Sequence, residues 1–149
     1  MTEPTIRCAT AEDVPAIVAL LADDELGGTR EAPGDPRYAE TFAAIAADPN
    51  QLLAVVDDGG EVVGCLQLSF IPGLSLKGMW RGQIESVRIA ASRRGQGLGH
   101  VMINWAVAEC RRRGCGLVQL TMHKTRTDSH RFYESLGFVA THEGFKLIL

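Results

Sequence analysis

Apolar residues first recur with helical spacing at Val14, Ile17, Val18 and Leu21, three and four positions apart. Ahead of them, residues 4–9 read as a short strand. Thr10 stands where a helix cap belongs, with Asp13 three residues later as a partial capping box. The helix is expected to run to about Asp23. Residues 27–36, rich in Gly and Pro, predict a loop. A second helix is expected over Arg37–Ala47, stopped by Asp48-Pro49. The period then changes. Residues 52–56 and 62–71 are strand-like runs joined by Asp57-Asp58-Gly59-Gly60, a hairpin signal.

Residues 72–82 predict a flexible connection that carries Lys77, Trp80 and Arg81, and residues 83–90 alternate as another strand. After the run Arg93-Arg94-Gly95-Gln96-Gly97-Leu98-Gly99, two apolar stripes mark a long helix. Leu98, Val101, Met102 and Trp105 form one; Ile103, Ala106, Val107 and Cys110 form its neighbour. Apolar on so much of its girth, this helix is expected to be covered on most sides. Arg111, Arg112 and Arg113 suit the negative end of its dipole, and Gly114 closes it. A buried strand over 117–122, a short helix over 128–136 closed by Gly137, and strands over 138–142 and 145–149 complete the reading. The order is β-α-α-β-β-β-α-β-α-β-β, an α/β domain with one mixed sheet.

Composition narrows the function classes. At 149 residues, with 46% hydrophobic and 22% charged positions, the chain predicts one globular domain, 1–149. A net charge of −3 offers no field for a polyanion, so no nucleic-acid partner is expected. No apolar run approaches the roughly 20 residues of a membrane span, so no membrane partner is expected. Met1-Thr2-Glu3-Pro4 lacks the basic and apolar regions of a secretion signal, and the expected location is cytoplasmic. Cys8, Cys65, Cys110 and Cys115 form no Cys-x-x-Cys pair, and His123, His130 and His142 follow no zinc-ligand spacing. Neither disulfide nor metal is expected.

The most informative stretch runs from Ile84 to His100. A strand enters a glycine-rich turn that opens a long helix, which points backbone N–H groups and the positive helix end at one spot, a site suited to phosphate. Gly97 and Gly99 let backbone approach a pyrophosphate without an intervening Cβ, and Arg94 adds a fixed charge. The dinucleotide fingerprint G-x-G-x-x-G fails, because His100 or Met102 stands where its last glycine belongs. The P-loop fails too, because no Gly-Lys-Ser/Thr follows.

What fits is R/Q-x-x-G-x-G, read as Arg94-Gly95-Gln96-Gly97-Leu98-Gly99 and leading into His100. This resembles the pyrophosphate-arm signature of the GNAT N-acetyltransferase superfamily. Downstream, Ser129-His130-Arg131-Phe132-Tyr133-Glu134-Ser135-Leu136-Gly137-Phe138 resembles that family's second marker, a helix whose Tyr is followed four residues later by Gly-Phe. The element order agrees as well. One departure is that Arg126 stands seven residues before the Tyr, where many members carry an Asn that contacts coenzyme A. The resemblance implies the GNAT fold, with a mixed twisted sheet of about seven strands and helices on both faces. It implies acetyl-CoA as co-substrate, the pantetheine arm held by the backbone of Val87, Arg88 and Ile89, and frequent homodimers, for which the last two strands offer an apolar edge.

Acetyl transfer from a thioester needs a neutral amine, a stabilised oxyanion and a proton for the departing thiolate. An amine of pKa about 10 is almost wholly protonated at neutral pH, so a base must act. Glu85 is the first candidate; alternation puts it on the face of Gln83 and Val87 if no bulge intervenes. By resemblance, the strand splays here and the Val87 N–H binds the thioester oxygen, while Tyr133 lies near the sulfur and returns the proton. Against these stand plainer roles: a tight helix entry for the glycines, a packed core aromatic for Tyr133, a salt-bridged strand residue for Glu85. His130 and His142 are candidates for the substrate mouth, more often structural.

The acceptor is expected to be a small-molecule amine. Asp23, Asp24 and Glu25 favour a cationic amine, whereas Lys77 and Arg81 favour one bearing phosphate or phosphonate. The run from Asp128 to Tyr133 resembles aminoalkylphosphonate and amino-sugar-phosphate acetyltransferases, which tilts the balance towards a small anionic amine. The alternatives are a non-catalytic acyl-CoA-binding or sensing module and a nucleotide-binding phosphotransferase; the latter lacks the Lys and the Mg²⁺-binding Ser/Thr.

Overall fold

A computed structural model describes residues 3–24 and 26–149. The chain divides into two compact units, one ending at Gln119 and one spanning Leu120–Leu149.

In the first unit, β1 (Thr5–Cys8), β2 (Gln51–Asp58), β3 (Glu61–Ile71) and β4 (Arg81–Ile89) form an antiparallel meander. β5 (Leu117–Leu120) joins beside β4 after a helical crossover, so the five-stranded sheet, in the order β1-β2-β3-β4-β5, is mixed. The hairpin turn between β2 and β3 forms as expected. Gly59 and Gly60 adopt φ of +62° and +97°, and the Gly60 N–H donates to Asp57 Oδ1 at 2.7 Å.

Cross-strand register sorts the residues by face. Leu52, Leu68 and Ile84 lie opposite one another on one face, and Leu53, Gln67 and Glu85 on the other. The first face packs against α5 (Leu98–Arg112), which buries Met102, Ile103, Ala106 and Cys110. A Cβ placed on Gly64 would stand 3.1 Å from the Met102 sulfur, and one on Gly82 would collide with Cys110. Only this one face of the helix is sealed. Val101 is 55% exposed, because covering the other apolar stripe would take a second layer that the sheet cannot supply.

The second face is covered by α1 (Val14–Ala22) and approached by α3 (Arg37–Ala47), with Ile17, Leu20, Val55 and Cys65 forming its core. Helices therefore lie on both faces, as expected. The Asp13 carboxylate completes the expected capping contact by accepting the Thr10 N–H at 2.7 Å, and it also pairs with Arg7 at 2.8 Å. Arg7 reaches Asp57 at 2.9 Å as well, which ties β1 to the start of α1 and to the hairpin. That guanidinium holds the Asp13 carboxyl down at about 2, against the opposing effect of burial.

Within the expected loop 27–36 the structure adds one helical turn, α2 (Gly27–Arg30). Gly27 is there for closeness: a Cβ would collide with the Leu21 carbonyl oxygen. The connection between β3 and β4 holds another turn, α4 (Ser75–Gly78), in which Leu76 and Lys77 take left-handed φ of 55° and 63°.

The second unit contains α6 (Thr127–Ser135), ended by Gly137 at φ +91°. The strands expected over 138–142 and 145–149 do not form among the described residues, so the sheet has five strands and not about seven. The segment alternates like a strand, but pattern is half of what a strand needs. Without a ladder partner its Phe145, Leu147 and Leu149 stand exposed.

Candidate active site

The chemistry-bearing residues of the first unit gather where β4 ends and α5 begins, and local backbone geometry explains both halves of the site. Along β4, Glu85 faces Gln67, but three residues further on Arg88 faces Cys65, only two residues away on β3. One extra residue is therefore accommodated at Ser86–Val87, a β-bulge, and Ser86 takes φ of +55°. A non-glycine residue held left-handed costs about 1–2 kcal/mol, strain that concentrates at functional sites. The bulge corrects the expected alternation. Glu85 shares its face with Gln83 and, beyond the bulge, with Arg88; Val87 is shifted out of that row. Glu85 itself is exposed.

The loop after β4 is built as its glycines require. Arg93 pairs with Asp58, anchoring the loop to the β2–β3 hairpin. Gly95 and Gly97 take φ of +75° and +79°, and Gly97 is the left-handed N-cap of α5. Nothing lies within 4 Å of where a Cβ would stand at either glycine, so the turn is open at both positions. Arg94, Gly95, Gln96 and Gly97 are exposed, and Arg94 forms no salt bridge among the described residues. Leu98, Gly99 and His100 form the first turn of α5. The positive end of the helix dipole and Arg94 give this turn a positive potential suited to an anion.

On the α1/α3 face the bulge opens into an apolar cleft of about 140 Å³, smaller than a typical drug-sized pocket. Ile17 and Leu21 of α1, Tyr38 and Phe42 of α3, Gln67 and Ser86 line it. Tyr38 is oriented by its hydroxyl, which donates to Glu31 Oε1 at 3.1 Å and accepts the Ala32 N–H at 3.0 Å. Cys65, also in the lining, is buried, and burial pushes its thiol up to about 12, so it is no nucleophile at neutral pH.

The acidic cluster read from the sequence is only partly available to an amine. Asp24 pairs with Arg88 at 3.2 Å and accepts the Gly27 N–H. Glu25 lies outside the described residues. Lys77 is exposed in the left-handed turn, and Arg81 lies at the start of β4; neither lines the cleft. Sequence reasoning missed Ser86 and Gln67. A serine forced to positive φ has no signature, and Gln67 is legible only through its register with Glu85.

In the second unit, Tyr133 is half-buried on α6 and edge-packed against Phe132 and Phe138, with ring centroids 5.0 and 5.7 Å apart. The Phe138 N–H closes the helix on the Tyr133 carbonyl at 3.1 Å, which explains why Gly137-Phe138 follows the tyrosine at that spacing. His130 pairs with Glu134 one turn on, a local structural role.

Comparison with known proteins places the chain in a family. The profile of the acetyltransferase (GNAT) family matches residues 15–138. The chain is 32% identical over 143 residues to the aminoalkylphosphonate N-acetyltransferase of Salmonella typhimurium, covering 94% of this chain and 88% of that one. It is also similar to the crystal structure of a transcriptional regulator from Bacillus halodurans C-125, with a TM-score of 0.95 and 45% identity over 99% of this chain and 100% of that one. A Trypanosoma brucei acetyltransferase matches with a TM-score of 0.83 and 27% identity over 99% and 100% of the two chains. The chain belongs to the acetyltransferase (GNAT) family and is an acetyl-CoA-dependent N-acetyltransferase.

Proposed function

We propose that the chain works as one domain that moves an acetyl group from acetyl-CoA to the primary amine of a small molecule, by direct attack of the amine on the thioester. The observation that carries this reading is the β-bulge at Ser86–Val87, set between the left-handed glycine turn at Gly95 and Gly97 and an apolar cleft. Acetyl-CoA supplies the activated acyl group. The cradle of Arg94, Gly95, Gln96, Gly97, Leu98, Gly99 and His100 takes its diphosphate, and the backbone of Val87, Arg88 and Ile89 takes the pantetheine arm. Glu85 receives a proton from the amine. The Val87 N–H, displaced from the regular ladder by the bulge, donates to the oxyanion. Tyr133 returns a proton to the sulfur.

An acceptor carrying an acid group is supported by the Salmonella typhimurium relative and by Lys77 and Arg81 in the chain. A cytosolic homodimer belongs to the same reading, supported by the exposed Phe145, Leu147, Ile148 and Leu149; a monomeric mass in light scattering at high micromolar concentration removes the dimer.

The test is thiol release from acetyl-CoA across a panel of amines, with Tyr133→Phe beside the wild type. Acid catalysis by Tyr133 predicts a kcat about 10²-fold lower with acetyl-CoA affinity intact. Equal rates remove Tyr133 from the mechanism. A second reading, a non-catalytic acyl-CoA sensor, is favoured by the 45% identity to a protein named a transcriptional regulator. It predicts binding of acetyl-CoA with no thiol release above background for any amine.

A further inference from the structure

The ladder between β3 and β4 pairs Gln67 with Glu85 and Cys65 with Arg88, so Leu66 stands opposite two residues, Ser86 and Val87. A bulge disrupts the ladder locally, and the carbonyls within it need other donors. Side chains reach both of them here. The Cys65 thiol donates to the Ser86 carbonyl at 3.5 Å, and Arg88 Nη1 donates to the Val87 carbonyl at 2.9 Å. Cys65 is buried, and the burial that pushes its thiol up to about 12 keeps the donated proton in place throughout the neutral range.

Arg88 is itself anchored. Its Nε stands 3.2 Å from Asp24 Oδ2, while Asp24 Oδ1 accepts the Gly27 N–H at the start of α2. Both side chains are mostly buried, 17% and 16% exposed. Nε nevertheless lacks an aligned hydrogen bond, the buried side-chain polar atom without one among the described residues. Two desolvated charges with one donor unmet contribute little to stability, and apolar residues of similar volume often do as well or better. Ser86, held left-handed at φ +55°, adds a second unfavourable feature on the other side of Val87. Local costs of this kind collect at functional sites.

Peptide geometry gives these contacts a purpose. No cis peptide bond occurs among the described residues, and a trans peptide points its C=O and its N–H in opposite directions. Pinning the Ser86 carbonyl to the Cys65 thiol therefore sends the Val87 N–H, in the same peptide, away from that thiol. Pinning the Val87 carbonyl to Arg88 fixes the next peptide, so the bulge is held on both sides of the Val87 Cα. We propose that Cys65 and Arg88, the latter steadied by Asp24, are positioning residues that set the direction of the Val87 N–H and so aim it at the thioester oxygen. This rests on the reading of that N–H as the oxyanion donor. Both side chains act through the backbone and not on the substrate.

The experiment is difference infrared spectroscopy of acetyl-CoA labelled with carbon-13 at the thioester carbonyl, bound to the wild type, Cys65→Ala, Arg88→Met and Arg88→Lys, beside steady-state kinetics and thermal unfolding. In the wild type a well-aimed donor should lower the carbonyl stretching frequency relative to free acetyl-CoA. Cys65→Ala and Arg88→Met should each move the band back towards the free value and lower kcat about tenfold or more, with the Kd for acetyl-CoA changed less than about threefold. Arg88→Lys should recover part of the shift, because it keeps a cationic donor between Asp24 and the Val87 carbonyl. If Arg88→Met fails to fold with Asp24 left unpaired, Arg88→Met/Asp24→Asn removes that charge and the same readings apply. A band that stays at its wild-type position in both variants, whatever happens to Tm, overturns the inference alone and leaves the two residues as packing. An unshifted band in the wild type removes the oxyanion reading of Val87 and this inference with it. The band is read without an acceptor, so it decides the matter even if no amine is acetylated.

Discussion

Strands β2, β3 and β4 present two very different faces. Towards α5 they offer Leu52, Ala54, Leu66, Leu68 and Ile84, all buried, and the helix answers with Met102, Ile103, Ala106 and Cys110. Gly64 and Gly82 let that helix settle so close that a methyl group at Gly82 has no room. Towards α1 and α3, the strands that also carry Val55 and Cys65 turn polar at Gln51, Gln67, Ser69, Gln83 and Glu85, and a cleft remains open. One face gains by excluding water, since each large apolar side chain fully buried there contributes about 1.5–3 kcal/mol. The other gives up that gain to keep hydrogen-bonding groups within reach of a ligand. The bulge at Ser86 stands on β4, which serves both faces, so its strain depends on a face that is sealed.

If that division holds, mutations on the two faces separate stability from activity. Leu68→Ala should have the largest effect, a loss of about 2–5 kcal/mol from the cavity it leaves. Thermal unfolding would show a fall in Tm of about 5–15 °C, with turnover per folded molecule unchanged at low temperature. A variant that lost activity without losing Tm would erase the distinction between the faces.

Glu85→Gln tests the opposite side. With Glu85 exposed, stability should stay within about 0.5 kcal/mol. As the base, its loss should lower kcat about 10²-fold near neutral pH, and the deficit should shrink as pH rises and the amine deprotonates on its own. A pH-independent deficit would reassign Glu85 to positioning the acceptor.

Gly97→Ala sharpens the comparison at the helix entry. The left-handed φ of +79° makes any Cβ cost about 1 kcal/mol, and in the proposed function the new methyl would stand in the path of the diphosphate. The expected result is a Kd for coenzyme A raised about tenfold or more, with kcat at saturation little changed. Unaltered affinity would move the cradle elsewhere.

The smallest effect belongs to Asp13, a polar contact on the closed side of α1. Its folded pKa, held at about 2 by Arg7, lies below the ordinary carboxylate value near 4, so the stabilisation is present above about pH 4 and is lost as pH falls towards 2. Because Arg7 is partly exposed, about 1–2 kcal/mol is expected. The Tm gap between wild type and Asp13→Asn should close over that acid range; a constant gap would point to packing instead.

Local signals in the sequence were enough for the α1 stripe at Val14, Ile17, Val18 and Leu21, the Asp57-to-Gly60 turn, the Gly137 stop and the Arg94-to-Gly99 run, because each depends on spacing or on a backbone angle that only glycine takes easily. The candidate site was legible for the same reason: a phosphate cradle is a backbone conformation written in glycines. What tertiary structure alone decided were properties of pairs distant in the chain. The bulge exists only as a mismatch between β3 and β4, and it decides that Glu85 shares a face with Arg88 and not with Val87. Asp24 became an ion-pair partner of Arg88 across 64 positions. Residues 138–149 alternate like strands, yet a strand is completed by hydrogen bonds to a neighbour, and no alternation within one segment supplies the neighbour.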